Sequence, residues 1–166
     1  MTEDRIPIWA TEGPIQAEVF VVRMHAGKPE LAGPCGPDPW YIEIGAHDDP
    51  VEVVTRLSRQ LMGDPLLVHS TSWRRARDSV ILSFVVLNRE HQASQLRGIP
   101  IVRAPLARGS AASAPVSIAY QQVLEHGLRH LAWLLKDDEV VHATLSDDWK
   151  KVLDGYVPEP FRHLET

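Results

Sequence analysis

Residues 48–63, DDPVEVVTRLSRQLMG, constrain the fold more than any other stretch, because they mark both ends of one helix. Asp49 can cap the helix, Pro50 suits its first position, and Glu52 is spaced to complete an Asp-x-x-Glu capping box. Gly63 can adopt the left-handed backbone conformation in which many helices end. The sequence therefore predicts a helix that begins at Pro50 and stops at Gly63.

Apolar and β-branched runs on both sides of this helix predict strands, because such side chains pack well on a pleated surface. The predicted strands cover residues 15–24, 40–44, 66–73 and 80–87, and an edge strand interrupted by Pro100 covers 99–103. Residues 26–39 are rich in glycine and proline and predict a loop. The polar residues 74–78, RRARD, predict the turn of a hairpin.

The last third of the chain has a helical pattern. Residues 104–116, APLARGSAASAPV, predict a flexible loop, after which helices are expected over 118–135, over 138–145 and from Ser146 to Gly155. Strands, one helix, more strands and then helices predict a layered α/β (α+β) fold. We assign all 166 residues to one domain, with sheet and first helix in 1–103, the loop in 104–116 and C-terminal helices in 117–166.

Charge and composition limit the class of protein. The formal net charge of −5 argues against a broad nucleic-acid-binding surface. No apolar run approaches the roughly 20 residues of a membrane-spanning helix. Cys35 is the only cysteine, which excludes an internal disulfide and fits a reducing compartment. Arginine outnumbers lysine, which favours a GC-rich bacterial gene, and we expect a cytoplasmic protein that does not associate with membranes.

A glycine-ended strand, a capped helix and a following apolar strand resemble the layout of the Nudix hydrolases. The signature of that family reads Gly, five residues, Glu, seven residues, Arg-Glu-apolar-x-Glu-Glu-x-Gly. Aligned on its end, Gly63 takes the last glycine, Arg56 takes the arginine, and Asp48 falls where the first glutamate belongs. The three glutamates on the helix are replaced by uncharged residues: Leu57, Gln60 and Leu61. The resemblance covers about residues 15–88.

This resemblance implies a Nudix-like α/β/α sandwich with a mixed β-sheet and a helical C-terminal extension. In the family the helix carboxylates hold divalent cations against a diphosphate. Mg²⁺ prefers anionic oxygen ligands, and neither leucine nor a neutral amide replaces a carboxylate. We therefore expect a domain that has lost diphosphate hydrolysis and binds a small, nucleotide-type ligand or acts as a regulator, with no cofactor.

Two alternatives stay open. A divergent hydrolase of nucleoside diphosphate derivatives would need Mg²⁺ or Mn²⁺ held by Asp48, Glu52 and another acid from outside the helix. A purely structural or dimeric interaction protein would instead fill the cleft with side chains, and Leu57 and Leu61 would then both point inward. The apolar run 130–135 would either cover the sheet or bury against a second subunit in a homodimer.

Five residues are candidates for ligand binding: Glu43, Arg56, Trp73, Arg74 and Arg75. Trp73 offers a ring for stacking, and the neighbouring arginines offer fixed positive charges for phosphates. Purely structural alternatives are a surface pair between Glu52 and Arg56 and a hairpin turn kept soluble by its arginines.

His126 and His130 are four residues apart, the spacing of a zinc-binding pair on a helix. No third ligand is evident in the sequence, although Glu125 and His142 are near. Histidines at this spacing are more often two side chains on a polar helix face than zinc ligands. We therefore predict no metal site and keep His126 and His130 as an alternative metal-binding pair.

Overall fold

Six strands and four helices follow one another in the residues that the computed structural model describes, which are 13–36, 38–89, 96–104 and 118–158. The strands are β1 (Ile15–His25), β2 (Lys28–Leu31), β3 (Trp40–Ile44), β4 (Leu67–Ala76), β5 (Ser79–Asn88) and β6 (Ile99–Pro100). The helices are α1 (Pro50–Met62), α2 (Tyr120–Asp137), α3 (Glu139–Thr144) and α4 (Asp147–Asp154).

The strands form one mixed sheet in the order β4-β5-β1-β2-β6, and β3 pairs with the first half of β1 beside β2. Strand β1 runs parallel to β5 and antiparallel to β2 and β3. Strand β4 forms an antiparallel hairpin with β5 and lies at the edge of the sheet. The sheet and its helices confirm the predicted α+β architecture and are consistent with a Nudix-like fold.

Apolar side chains alternate between the two faces of the sheet, as the pleat of a strand requires. On one face, residues such as Val19, Val21 and Phe84 pack with Val54 and Met62 of α1. On the other face, residues of β1 and β5 pack with α2, α3 and α4, including Phe20, Val22, Val85, Leu87, Leu128, Leu131 and Trp149. The sheet is therefore covered by helices on both sides.

Helix α1 has the predicted ends. The Asp49 carboxylate accepts hydrogen bonds from the backbone N–H groups of Val51 (2.8 Å) and Glu52 (3.2 Å), and Pro50 is the first helical residue. Gly63 has φ of 84° and donates its N–H to the Arg59 carbonyl. Glu52 forms no reciprocal bond to the Asp49 amide among the described residues, so only half of the predicted capping box is present.

Two predicted loops are wrong in their extent. The glycine- and proline-rich residues 26–39 contain β2, which returns antiparallel along β1 after the two-residue turn Ala26–Gly27. The hairpin after α1 turns over Arg77 and Asp78 alone, so Arg74 and Arg75 belong to strand β4.

The last strand is shorter than predicted and covers Ile99–Pro100. The predicted flexible loop 104–116 lies outside the described residues, except for its first position.

Candidate functional site

The polar side of α1 lines a shallow groove of about 450 Å³. Its lining includes three carboxylates and two guanidinium groups: Asp48, Asp49, Glu52, Arg56 and Arg59. Most of these groups already have partners, since Asp49 caps the helix, Asp48 accepts from the Gly45 N–H, and Arg59 forms an ion pair with Asp64. Glu52 and Arg56 face the groove without an ion pair among the described residues, so the expected surface pair between them is absent.

The three positions of the missing glutamates lie on different sides of α1. Leu57 is half-buried and packs against the sheet, Gln60 is exposed, and the Leu61 side chain is 50% exposed. Inward packing therefore holds for Leu57 and not for Leu61. Among the described residues, no three His, Cys, Asp or Glu side chains converge in a way that could hold a metal ion.

The register of the strands separates the candidate ligand-binding residues. Trp73 pairs with Leu82, which packs with the α1 cluster, and Arg75 follows two residues later on the same face. Arg74 lies between them and therefore points to the opposite face. Glu43 also points there, because Ile42 and Ile44 on either side of it pack under α1. The structure therefore does not bring these residues into one concave site.

Arg74 belongs to a buried polar cluster on the α2 side of the sheet. Its guanidinium group donates to both carboxylate oxygens of Glu18, at 2.7 and 2.8 Å, and Glu18 is 1% exposed. The hydroxyl groups of Tyr41 (2.9 Å) and Ser83 (3.1 Å) also donate to this carboxylate. Hydrogen bonds to Glu18 raise the pKa of Arg74, and they outweigh the opposing effect of burial. Burial raises the pKa of Tyr41, and the charge of Glu18 adds to the increase.

The structure gives His130 a partner that the sequence analysis missed. The His130 Nδ1 atom lies 2.8 Å from Nε2 of His69 on β4, and the His130 ring stacks on Trp133. His130 is 2% exposed, and burial together with His69 and His126 lowers its pKa to about 4. Burial also lowers the pKa of His69. His69 lies on the side of β4 that faces α2. It is 61 residues from His130 in the sequence, so their contact could not be predicted without the fold.

A second buried carboxylate, that of Glu125, connects α2 with the segment after β6 and, through Arg103, with the end of α4. Glu125 on α2 accepts from Arg103, at 2.9 and 3.0 Å, and from Arg129 at 3.0 Å. Arg103 also donates to the Gly155 carbonyl and lies over the ring of Tyr156. Burial raises the pKa of Glu125, but the hydrogen bonds from both arginines outweigh it and bring the pKa below its ordinary value. Glu125 is therefore engaged in an ion-pair cluster beside His126.

No helix in the described part of the chain has the length and apolar character needed to cross a membrane.

Comparisons with known proteins show the fold of this chain. No model of a protein family and no curated protein matches the sequence. Among solved structures, 11 chains match, and one of them is NrtR from Shewanella oneidensis. That alignment has a TM-score of 0.50 and 14% sequence identity, and it covers 89% of this chain and 79% of NrtR. The likeness is therefore one of architecture, a mixed sheet with helices consistent with a Nudix-like fold.

Proposed function

We propose that this chain is a Nudix-like domain that binds a small ligand and acts as a regulator without hydrolysing diphosphates. The observation that carries the proposal is the set of side chains at three positions of α1. The positions that would carry the helix glutamates hold Leu57, Gln60 and Leu61, and none of the three offers an anionic oxygen to a cation. The fold likeness to NrtR is compatible with such a regulatory domain.

The remaining acids near α1 do not replace the missing ones. Asp49 holds the helix terminus and Asp48 holds the Gly45 amide, so Glu52 is the acid of the groove without a hydrogen-bond or ion-pair partner among the described residues. A hard cation such as Mg²⁺ is usually bound through one or two carboxylates together with substrate phosphates. Losing one preorganised electrostatic contact costs about 10²- to 10³-fold in rate, and three carboxylates are replaced here.

The ligand class that we propose is a nucleotide-type small molecule. Arg56 on α1 and Arg75 on β4 are exposed and form no ion pair with a described residue, so either can meet a phosphate. Trp73 adds an exposed aromatic ring beside Arg75. Together these groups supply the stacking and the positive charge that a base and its phosphates require.

A hydrolysis assay combined with a binding assay tests this function. The purified chain is incubated with Mg²⁺ or Mn²⁺ and a panel of nucleoside diphosphate derivatives, and the two phosphate monoesters that cleavage of the diphosphate yields are measured by anion-exchange chromatography. The thermal unfolding midpoint is measured with the same compounds. We expect no turnover above the protein-free rate, and an increase in the midpoint with at least one compound. Turnover would overturn the proposal, as would a midpoint that no compound changes.

The divergent hydrolase remains the second candidate because Asp48 and Asp49, just before α1, and Glu52 in its first turn line the same groove. If turnover is observed, Glu52→Gln and Asp48→Asn decide where it arises. Loss of turnover in either variant would establish a relocated metal site that uses these carboxylates. Lys151→Ala on α4 is a control that removes one exposed charge outside the groove.

A further inference from the structure

The hairpin of β4 and β5 carries an exposed aromatic ring together with two cations that have no ion-pair partner in the described part of the chain. Trp73 is 69% exposed and makes no ring contact with another described residue. Arg75 lies two residues further along the same strand and points to the same side. Arg77 stands at the tip of the turn, and its side chain is also exposed.

Not every arginine of this hairpin is exposed, since Arg74, between Trp73 and Arg75, is held by the fold. Arg74 also lies on β4, yet its guanidinium group donates hydrogen bonds to Glu18 and Ser83 on the opposite face. Its charge is therefore neutralised within the fold. Arg75 and Arg77 keep their charge available on a chain whose formal net charge is −5.

We propose that Trp73, Arg75 and Arg77, together called the hairpin platform, form the binding surface for the base and phosphates of a nucleotide. The base stacks on the Trp73 ring, whose cross-strand partner on the same face is the apolar Leu82. Arg75 and Arg77 bind the phosphate oxygens, for which the planar guanidinium group is well suited. This inference rests on the proposed ligand-binding function and names the place where the ligand binds.

Charge favours the hairpin platform over the groove of α1. The groove presents three carboxylates, of Asp48, Asp49 and Glu52, which repel phosphate oxygens and outnumber the guanidinium groups of Arg56 and Arg59. Of these two arginines, Arg59 is already paired with Asp64. Near the platform, Asp78 in the turn is the neighbouring acid in sequence, and it forms no ion pair with Arg75 or Arg77. The amide groups at the start of α1 are also occupied, because Asp49 already accepts from two of them.

The Arg77 backbone has a φ angle of 53°, in the left-handed region that favours glycine or asparagine in two-residue hairpin turns. The corresponding first position of the β1–β2 turn is Ala26, which is also not glycine and has φ of 47°. A left-handed residue therefore belongs to both turns, and Arg77 differs from Ala26 in that it presents a charged side chain there.

Direct observation of the Trp73 indole provides the first test. The chain has 5 tryptophans, and the indole N–H resonance that disappears in Trp73→Phe identifies Trp73 in a ¹H–¹⁵N spectrum. The full chain is titrated with ADP in the presence of EDTA, so that hydrolysis plays no part. Adenosine and pyrophosphate are titrated separately to test stacking and charge. We expect ADP to move the Trp73 resonance and to bind more tightly than either fragment.

Variants then locate the site. Trp73→Ala and Arg75→Ala should each raise the Kd for ADP by roughly tenfold or more, while Lys151→Ala, which removes one exposed charge on α4, leaves it unchanged. Arg56→Ala tests the groove of α1 as the alternative binding place. Arg77→Gly removes the charge and relieves the backbone, so it should weaken ADP binding while raising the thermal unfolding midpoint. A purely structural role for Arg77 predicts no change in the Kd.

The outcomes separate this inference from the proposed function. A Trp73 resonance that does not respond to ADP overturns the hairpin platform, whatever the hydrolysis assay shows. ADP binding that is lost in Arg56→Ala and kept in Trp73→Ala moves the ligand to the groove of α1 and leaves a ligand-binding domain. Turnover of diphosphates with Mg²⁺ overturns the non-hydrolytic function, even if the base stacks on Trp73.

Discussion

At the scale of single residues, Glu18 is the clearest case of a buried charge that the fold has to compensate. Its carboxylate lies in the central strand and receives two hydrogen bonds from Arg74 and one each from Tyr41 and Ser83. A buried ion pair is costly to assemble, and removal of one partner is more costly, because the other charge is left without compensation. Arg74 is therefore a structural residue in this chain.

Removal of Arg74 should destabilise the protein strongly. In Arg74→Ala the Glu18 carboxylate is left buried, and we expect a loss of roughly 3–5 kcal/mol in the free energy of unfolding. Arg75→Ala is a matched control with the same change one residue away, and it should alter that energy by less than about 0.5 kcal/mol. Urea unfolding measures both. Equal losses in the two variants would contradict the assignment of Arg74 to the cluster.

His130 should make the stability depend on pH. Its folded pKa of about 4 lies below the value of about 6.5 expected in the unfolded chain, so the unfolded state binds more protons between these values. Stability contributed by neutral His130 is present above pH 6.5 and is lost as the pH falls towards 4. This group accounts for about 2 kcal/mol between pH 7 and pH 5.

The His130 effect is isolated by comparing variants over the same range of pH. Lowered pKa values at His69 and Glu125 also remove stability in acid, so the wild-type chain alone does not identify the group. We expect His130→Asn to have a shallower dependence of the unfolding free energy on pH. His142→Asn, exposed on α3, should keep the wild-type slope. Identical slopes in all three proteins would show that His130 carries no such shift.

At the scale of elements, α1 shows what a sequence can specify. Its ends depend on local chemistry, so Asp49, Pro50 and Gly63 could be assigned before the structure was known. Strand β2 could not be assigned in this way, because Lys28–Leu31 is short and becomes a strand only by pairing with β1. The register of β4 could not be predicted from the sequence either. It depends on a bulge between Ser70 and Ser72 and decides which arginines face each side.

The exposure of residues on α1 also predicts which of the replaced glutamate positions accept a carboxylate. Leu61 is exposed, so Leu61→Glu should change the free energy of unfolding by less than about 0.5 kcal/mol. Leu57 packs against the sheet, and Leu57→Glu should cost roughly 1–3 kcal/mol because its carboxylate loses water. Urea unfolding of the two variants measures the difference. A greater loss in Leu61→Glu would mean that α1 is rotated relative to the sheet.

At the scale of the whole molecule, the covering of the sheet by α2 depends on a close approach at Gly127. A Cβ atom at this position would lie 2.7 Å from Cγ2 of Val85 and 3.2 Å from Cγ2 of Thr71. Helix and sheet therefore touch where a side chain is missing, and the neighbouring His69–His130 pair bridges the same two layers. The apolar face of α2 follows from the spacing of its apolar residues, but the residue at which the helix meets the strands does not.

Gly127→Ala should reverse the usual effect of this substitution. In a helix exposed to water the change stabilises by about 1 kcal/mol, because alanine has the higher helix propensity. Here the added methyl group meets a stiff valine, and we expect a net loss of roughly 1 kcal/mol or more. Lys136→Ala on the exposed side of α2 is the control for changes in helix propensity. A higher thermal midpoint in Gly127→Ala would contradict the close packing.

The parallel pairing of β1 with β5 has a consequence for how the chain refolds. The hairpin of β4 and β5 closes through two residues, whereas the bond between Ser83 and Glu18 spans 65 positions of the chain. Loop-closure entropy makes such distant contacts late and slow. We therefore expect the hairpin to form first and to supply the edge onto which β1 docks. The middle of β1, residues 19–22, is apolar on both faces and stays exposed to aggregation until that docking is complete.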